Sequence, residues 1–208
     1  MQTHYIPIRV IVDQAYIDKV SRYENAQVAE TRAREIVNTA SIIVFEPQLN
    51  IVLTVVEFLV DTKAVCSENI GDHLTGSGDP KNPDTQHSVF VTGCDSSPAN
   101  RASGVAYVDT LCAPEFARSV VRYTSTSWRT FAHEFGHAIG LQHTFQNGVG
   151  HTGGLMDYGN GRLFQILPNK PYGFNAEFSG DVMCERLNAA KTNCGFPKAL
   201  KQAPQRCS

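Results

Sequence analysis

Residues 133–143 read HEFGHAIGLQH, and no other stretch of the 208-residue chain limits its fold and chemistry as tightly. If the segment is helical, His133 and His137 stand one turn apart and project from the same side. Glu134 lies about 60° round the helix from His137 on that side, at about 100° per residue. Trp128, Phe131, Phe135, Ala138 and Ile139 occupy the opposite side. Such a helix is apolar where it meets a core and carries its polar groups toward a cleft. Gly140 stands where the helix needs to stop, because glycine takes the left-handed conformation that reverses the chain. That turn swings His143 back toward the first two imidazoles.

Three neutral imidazoles at one point suit a zinc ion, with a fourth position left open, as in catalytic rather than structural sites. Such an ion polarises a carbonyl and acidifies water. Glu134, a carboxylate beside the site and outside the ligand set, has the position of a general base that later protonates a leaving amine. A bare HExxH arises by chance. The full pattern fixes five residues in eleven on a segment independently readable as helix then turn.

Composition removes other classes. Hydrophobic residues make up 42% of the chain, too many for a disordered one. The net charge of -2 carries no basic field for nucleic acid. The longest apolar run, Ile51 to Val60, is interrupted by Thr54 and Glu57 and is far short of the roughly 20 residues of a membrane helix. Six cysteines with no CxxC pair read as three disulfides and an oxidising compartment. The alternative is six buried thiols. Met1 to Tyr5 lacks the basic and apolar regions of a signal peptide, so a secreted chain would have lost its signal and pro-segment.

Along the chain, Tyr5–Val12 alternates as a first strand. Residues 24–40 place Ala26, Ala29, Ala33, Ile36, Val37 and Ala40 on one helical face. Asn50–Val60 is apolar on both faces, as in a central strand covered on both sides. Strand, helix, strand in that order predicts an α/β sheet. Residues 67–87 read as a polar surface loop, and Ser88–Thr92, Gly104–Asp109 and Ser119–Tyr123 as short strands. Ser127–Leu141 is the strongest helix of the second half, 148–180 is mostly irregular, and Phe178–Ala190 is a candidate last helix.

The motif, followed by Gly154-Leu155-Met156-Asp157-Tyr158, resembles the metzincin zinc endopeptidases, whose pattern is HExxHxxGxxH and a Met-turn. The resemblance implies that Met156 forms an apolar floor under the zinc without ligating it; composition alone would make it a core residue. Within that group the chain looks most like the adamalysin (reprolysin) family over nearly its whole length. YIPIRVIVD, AREIVNTASIIVF and NIVLTVVEFLVD are similar to that family's opening strand, helix and strand. SGVAYVDTLC resembles its edge strand and FSGDVMCERLNAAKTNC its closing helix. The implied fold is α/β (α+β) and of metzincin type: a twisted mixed sheet with an antiparallel edge strand, an active-site helix and a Met-turn. It implies a single catalytic domain over 1–208, with an upper part up to about residue 142 and a lower part after it.

Three departures leave the subfamily open. Thr144 follows the third histidine where adamalysins usually place Asp, and His143-Thr144-Phe145 with Met156-Asp157-Tyr158 look more like the pappalysin group. No cysteine lies between His143 and Met156. Tyr158 stands where astacins and serralysins have a zinc-approaching tyrosine, which makes it a candidate oxyanion stabiliser or else a packing residue. By resemblance, Gly104, Val105, Ala106 and Tyr107 form the edge strand that holds an extended peptide. The segment 159–172, with Leu163, Phe164, Ile166 and Leu167, would wall an apolar pocket unless those residues are core.

Six cysteines allow 15 pairings, among which the sequence does not choose. The expected set is Cys66–Cys94 closing the polar loop, Cys184–Cys194 bracing the last helix, and Cys112–Cys207 as the family's comparable cysteine implies. His73, Asp79 and His87 offer no defensible metal spacing and read as a solvated loop, as do His4 and His151.

The expected protein is a secreted, monomeric zinc endopeptidase acting on peptides or proteins. One catalytic Zn2+ is held by His133, His137 and His143, Glu134 is the general base, and a pro-segment belongs to the precursor. Nothing points to calcium, nucleic acid or a membrane segment. The alternatives are a non-catalytic binding or toxin module on the same scaffold, which would not need Glu134, and a non-proteolytic zinc hydrolase.

Overall fold

The computed structural model describes residues 3–22, 27–75, 85–97, 101–113, 115–147, 154–157, 173–175 and 181–187. The strands are β1 (His4–Asp13), β2 (Ile51–Asp61), β3 (His87–Thr92), β4 (Gly104–Ala106) and β5 (Arg118–Arg122). The α-helices are α1 (Gln14–Ser21), α2 (Val28–Ala40), α3 (Glu46–Leu49), α4 (Asp72–Thr75) and α5 (Ser127–Ile139). A π-helical turn, Ser41–Phe45, joins α2 to α3. The five strands form one sheet in the order β2-β1-β3-β5-β4. All neighbours run parallel except β4, which runs antiparallel to β5 on the outside of the sheet. The fold is thus α/β with an antiparallel edge strand, as expected.

The strand expected at the centre is displaced. β2 pairs only with β1 and forms the other edge, with Val56 half-exposed and Val60 42% exposed. β1 takes the inner place instead, buried at every residue from Ile8 through Asp13, and its register with β2 slips between Ile8 and Arg9. An apolar run on both faces marks a covered strand, but it does not tell an inner position from an outer one.

α1 has no clear periodicity in sequence, and a local bond explains it. The Asp13 side chain accepts from the Tyr16 N–H at 2.7 Å, capping the helix. The same buried carboxylate accepts from the Gly93 N–H at 3.0 Å and from the Thr92 hydroxyl, so one side chain joins the ends of β1 and β3 to α1. On α2, Ala29, Ala33, Ile36, Val37 and Ala40 are all buried, the face that the periodicity predicts; Ala26 lies outside the described residues. α5 packs on α2, β4 and β5, burying Phe131, Phe135, Ala138 and Ile139. Phe45 meets Phe135 edge-on at 5.1 Å and Phe174 at 5.6 Å, so the π-turn holds α5 against the lower chain.

Cys66 and Cys94 form the expected disulfide. Cys112 and Cys184 are also disulfide-bonded, while the pairings with Cys207 and Cys194 fall outside the described residues. Residues 181–187 are helical within the predicted last helix, with Met183 and Leu187 buried.

Two histidines read as solvated are buried instead. His4 opens β1 at 9% exposure, and His87 opens β3 at 1%. His87 Nε2 lies 3.0 Å from the Ser119 hydroxyl, and its ring meets Phe135 edge-on at 5.0 Å. His73, in α4, stacks on Phe90 at 4.9 Å; Asp79 and His151 lie outside the described residues. Burial, helped by the Arg118 charge, pushes the His87 pKa down to about 3. The folded value lies below the unfolded one, near 6.5, so stability is complete above pH 6.5 and is lost as the pH falls toward 3. At about 1.4 kcal/mol per unit, acidification from pH 7 to 5 costs about 2 kcal/mol through this group. Urea unfolding of metal-free protein at the two pH values will show a loss smaller by about that amount in His87→Gln than in the parent. An identical loss in both would place the acid sensitivity elsewhere.

Candidate active site

Helix α5 carries the motif as its sequence predicts. It ends at Ile139, and Gly140 takes the left-handed conformation at φ 111°. The Leu141 N–H returns to the Gly136 carbonyl at 3.0 Å, closing the turn. His143 is thereby brought back to the helix. Its Nε2 lies 3.1 Å from His133 Nε2 and 3.2 Å from His137 Nε2.

The other ring nitrogens fix the tautomers. His133 Nδ1 donates to the Leu155 carbonyl, and His137 Nδ1 donates to the Leu141 carbonyl at 2.7 Å. A carbonyl only accepts, so each Nδ1 carries the proton and each Nε2 presents a lone pair. Burial is the main cause that lowers all three imidazole pKa values, that of His133 to about 4, so the rings are neutral near pH 7. Three neutral donors converging in this way form a group able to hold a metal ion. Their 3.1–3.2 Å spacing is close to the about 3.3 Å between donors of a tetrahedral zinc with bonds of about 2.0–2.1 Å. The residues fit the ion.

Glu134 is 5% exposed and faces the same cleft. Burial pushes its carboxyl pKa up to about 8. It lies directly beneath the edge strand: a Cβ on Gly104 would stand 2.7 Å from Glu134 Oε1 and 2.6 Å from Thr130 Cγ2. Glycine at 104 is what allows strand and carboxylate to approach so closely. The cleft between them encloses about 1070 Å³.

The edge strand is shorter than predicted, Gly104–Ala106, because Asp109 turns into the left-handed region and its N–H donates to the His137 carbonyl at 2.9 Å. Tyr107 follows the strand and packs edge-on against Phe116 at 5.6 Å.

Met156 is 2% exposed and lies against α5, where a Cβ on Gly136 would come within 2.6 Å of its sulfur. Thr144 is buried and donates its hydroxyl to Asp157 Oδ1. This contact ties the turn at the third histidine to the Met-turn. Tyr158, Leu163, Phe164, Ile166 and Leu167 lie outside the described residues.

Two supporting residues have no signal in the sequence. Gln48 in α3 clamps Phe174 from both sides: Phe174 N–H donates to Gln48 Oε1 at 2.9 Å, and Gln48 Nε2 donates to the Phe174 carbonyl at 3.2 Å. The Gly173 carbonyl then accepts from the Leu155 N–H at 2.9 Å, and Leu155 in turn holds His133. Arg122, buried at the end of β5, donates from Nε to the Ala102 carbonyl at 3.0 Å and from Nη1 to those of Cys94 and Asp95 at 2.9 and 2.8 Å. It steadies the approach to β4. Neither residue belongs to a local pattern, because its partners are distant in the chain.

Comparison with known proteins agrees with this geometry. One chain of a solved chaperone–substrate complex shares the fold, with a TM-score of 0.62 at 16% identity over 92% of this chain. The present chain spans 35% of that one. No curated protein matches the sequence. The model of the metallopeptidase family M12 matches residues 2–162, a span that contains the sheet, helix α5, all three histidines and Met156. By that match the chain belongs to metallopeptidase family M12.

Proposed function

We propose that the protein is a secreted zinc endopeptidase, with His133, His137 and His143 holding the ion and Glu134 as general base. The observation that carries this reading is the convergence of three neutral Nε2 donors in one cleft with a buried carboxylate that is not a donor. Zinc, when bound, supplies Lewis-acid polarisation of the scissile carbonyl and of water.

The chain's own groups do the rest. Backbone groups of Gly104, Val105, Ala106 and Tyr107 hold the extended peptide as an added strand. In its ionised form Glu134 takes a proton from water as the water oxygen bonds to the carbonyl carbon. It passes that proton to the amide nitrogen as the carbon–nitrogen bond breaks. No side-chain nucleophile is needed. Met156 closes the floor beneath the histidines, and Tyr158 is assigned to the oxyanion. Hydrogen bonds donated by His133 and His137 Nδ1 to the Leu155 and Leu141 carbonyls keep these two imidazoles in the binding tautomer.

Secretion is supported by the Cys66–Cys94 bridge and by the bonded states of Cys112 and Cys184. No helix among the described residues is long and apolar enough to cross a membrane. Digestion of an unbiased peptide library, with and without chelator, tests the activity. Internal cleavage that chelator abolishes and zinc restores is expected. Intact peptides under every condition would favour a binding module on this scaffold.

A further inference from the structure

The cleft is electrically lopsided. Gly104 lies over Thr130 and Glu134, while the Asp109 N–H reaches the His137 carbonyl at 2.9 Å. The edge strand therefore follows α5 along the cleft, with 104 beside 130 and 109 beside 137. Arg101, three residues before Gly104, and Arg129, next to Thr130, stand at the same end. Both line the cleft. Among the described lining residues they are the only Arg or Lys side chains, in a protein whose net charge is -2. Of the lining carboxylates, Glu134 lies under the edge strand and Asp157 accepts from Thr144.

Arg129 sits one helical turn before His133, its guanidinium carbon 6.0 Å from the centre of the Trp128 ring. A planar guanidinium over an aromatic face keeps its N–H donors in a narrower set of orientations than a free side chain has. Thr126 and Ser103 add hydroxyls to the same wall.

We infer that Arg101 and Arg129 are specificity-determining residues that select peptides with Asp or Glu at one fixed position beside the scissile bond. This rests on the peptidase reading above. A carboxylate there gains charge-assisted hydrogen bonds, and a lysine meets like charge, so selection comes from attraction and from repulsion together.

The test uses the zinc-loaded full chain and a peptide library with both acidic and basic residues. The parent enriches Asp and Glu at one position, with kcat/KM about tenfold higher for Glu than for Lys there, an advantage that shrinks in high salt. Arg101→Gln with Arg129→Gln removes the preference, Arg129→Lys keeps most of it, and Arg129→Glu shifts it toward Lys. Cleavage without acidic enrichment, or enrichment untouched in the double variant, overturns the inference and leaves the peptidase reading standing.

Binding separates the two claims. Labelled Glu-rich and Lys-rich peptides are titrated onto the zinc-loaded Glu134→Gln protein by fluorescence anisotropy. Tighter binding of the acidic peptide that disappears with both arginines supports the inference even if the parent hydrolyses nothing; equal binding overturns it.

Discussion

Glu134→Ala is expected to lower peptide hydrolysis on the order of 10³–10⁴-fold, at the upper end of what a positioned general base contributes, while leaving the metal in place. The geometry separates the two roles. Glu134 lies beside the three converging imidazoles and under Gly104, and is not one of the three donors. Its side chain is buried and lines the cleft, where it can exchange a proton with substrate. Glu134→Gln preserves shape and volume and should lose as much activity as the alanine variant, which identifies the carboxylate and not its packing as the cause. Turnover and zinc content measured on the same preparations check this. Undiminished turnover with zinc retained would remove Glu134 from the mechanism.

The second large effect falls on the metal. His137 is buried, its Nδ1 is committed to the Leu141 carbonyl, and its Nε2 is 3.2 Å from that of His143. His137→Ala deletes a donor and leaves two. The loss in zinc affinity should exceed the roughly 10–100-fold that follows removal of an outer-shell partner. A ligand that binds only the folded state raises its stability, so zinc should raise the melting temperature of the parent and not of the variant. Thermal melts with and without zinc, beside metal analysis, decide it. A variant that keeps one zinc and the full rise in melting temperature would show that the imidazoles are not the site.

Legibility in the sequence followed chain distance. The histidines and Glu134 are close in sequence, so helical periodicity and one glycine were enough to place them together. The α2 face was readable for the same reason. Gln48 and Arg122 were not, because their bonds span 126 and up to 28 residues. α1 is two turns long with only Tyr16 and Val20 buried, and what identifies it is its cap at Asp13. His87 looked like part of a polar loop because its neighbours are polar, but strand pairing carries it into the core beside Phe135. The placement of β2 outside β1 depends on pairing across the sheet, which an apolar run does not encode. The coupling of Thr144 to Asp157 joins two turns 13 residues apart, so no local pattern carries it.

The central claim is that one ion held by three imidazoles powers peptide cleavage. Zinc titration of the metal-free protein, followed by hydrolysis of a peptide chosen from the library, tests it most directly. Activity should rise linearly and level off at one zinc per chain, and Glu134→Ala should bind the same equivalent without gaining activity. Hydrolysis before any zinc is added, or one bound zinc with no hydrolysis across the whole library, would contradict the account.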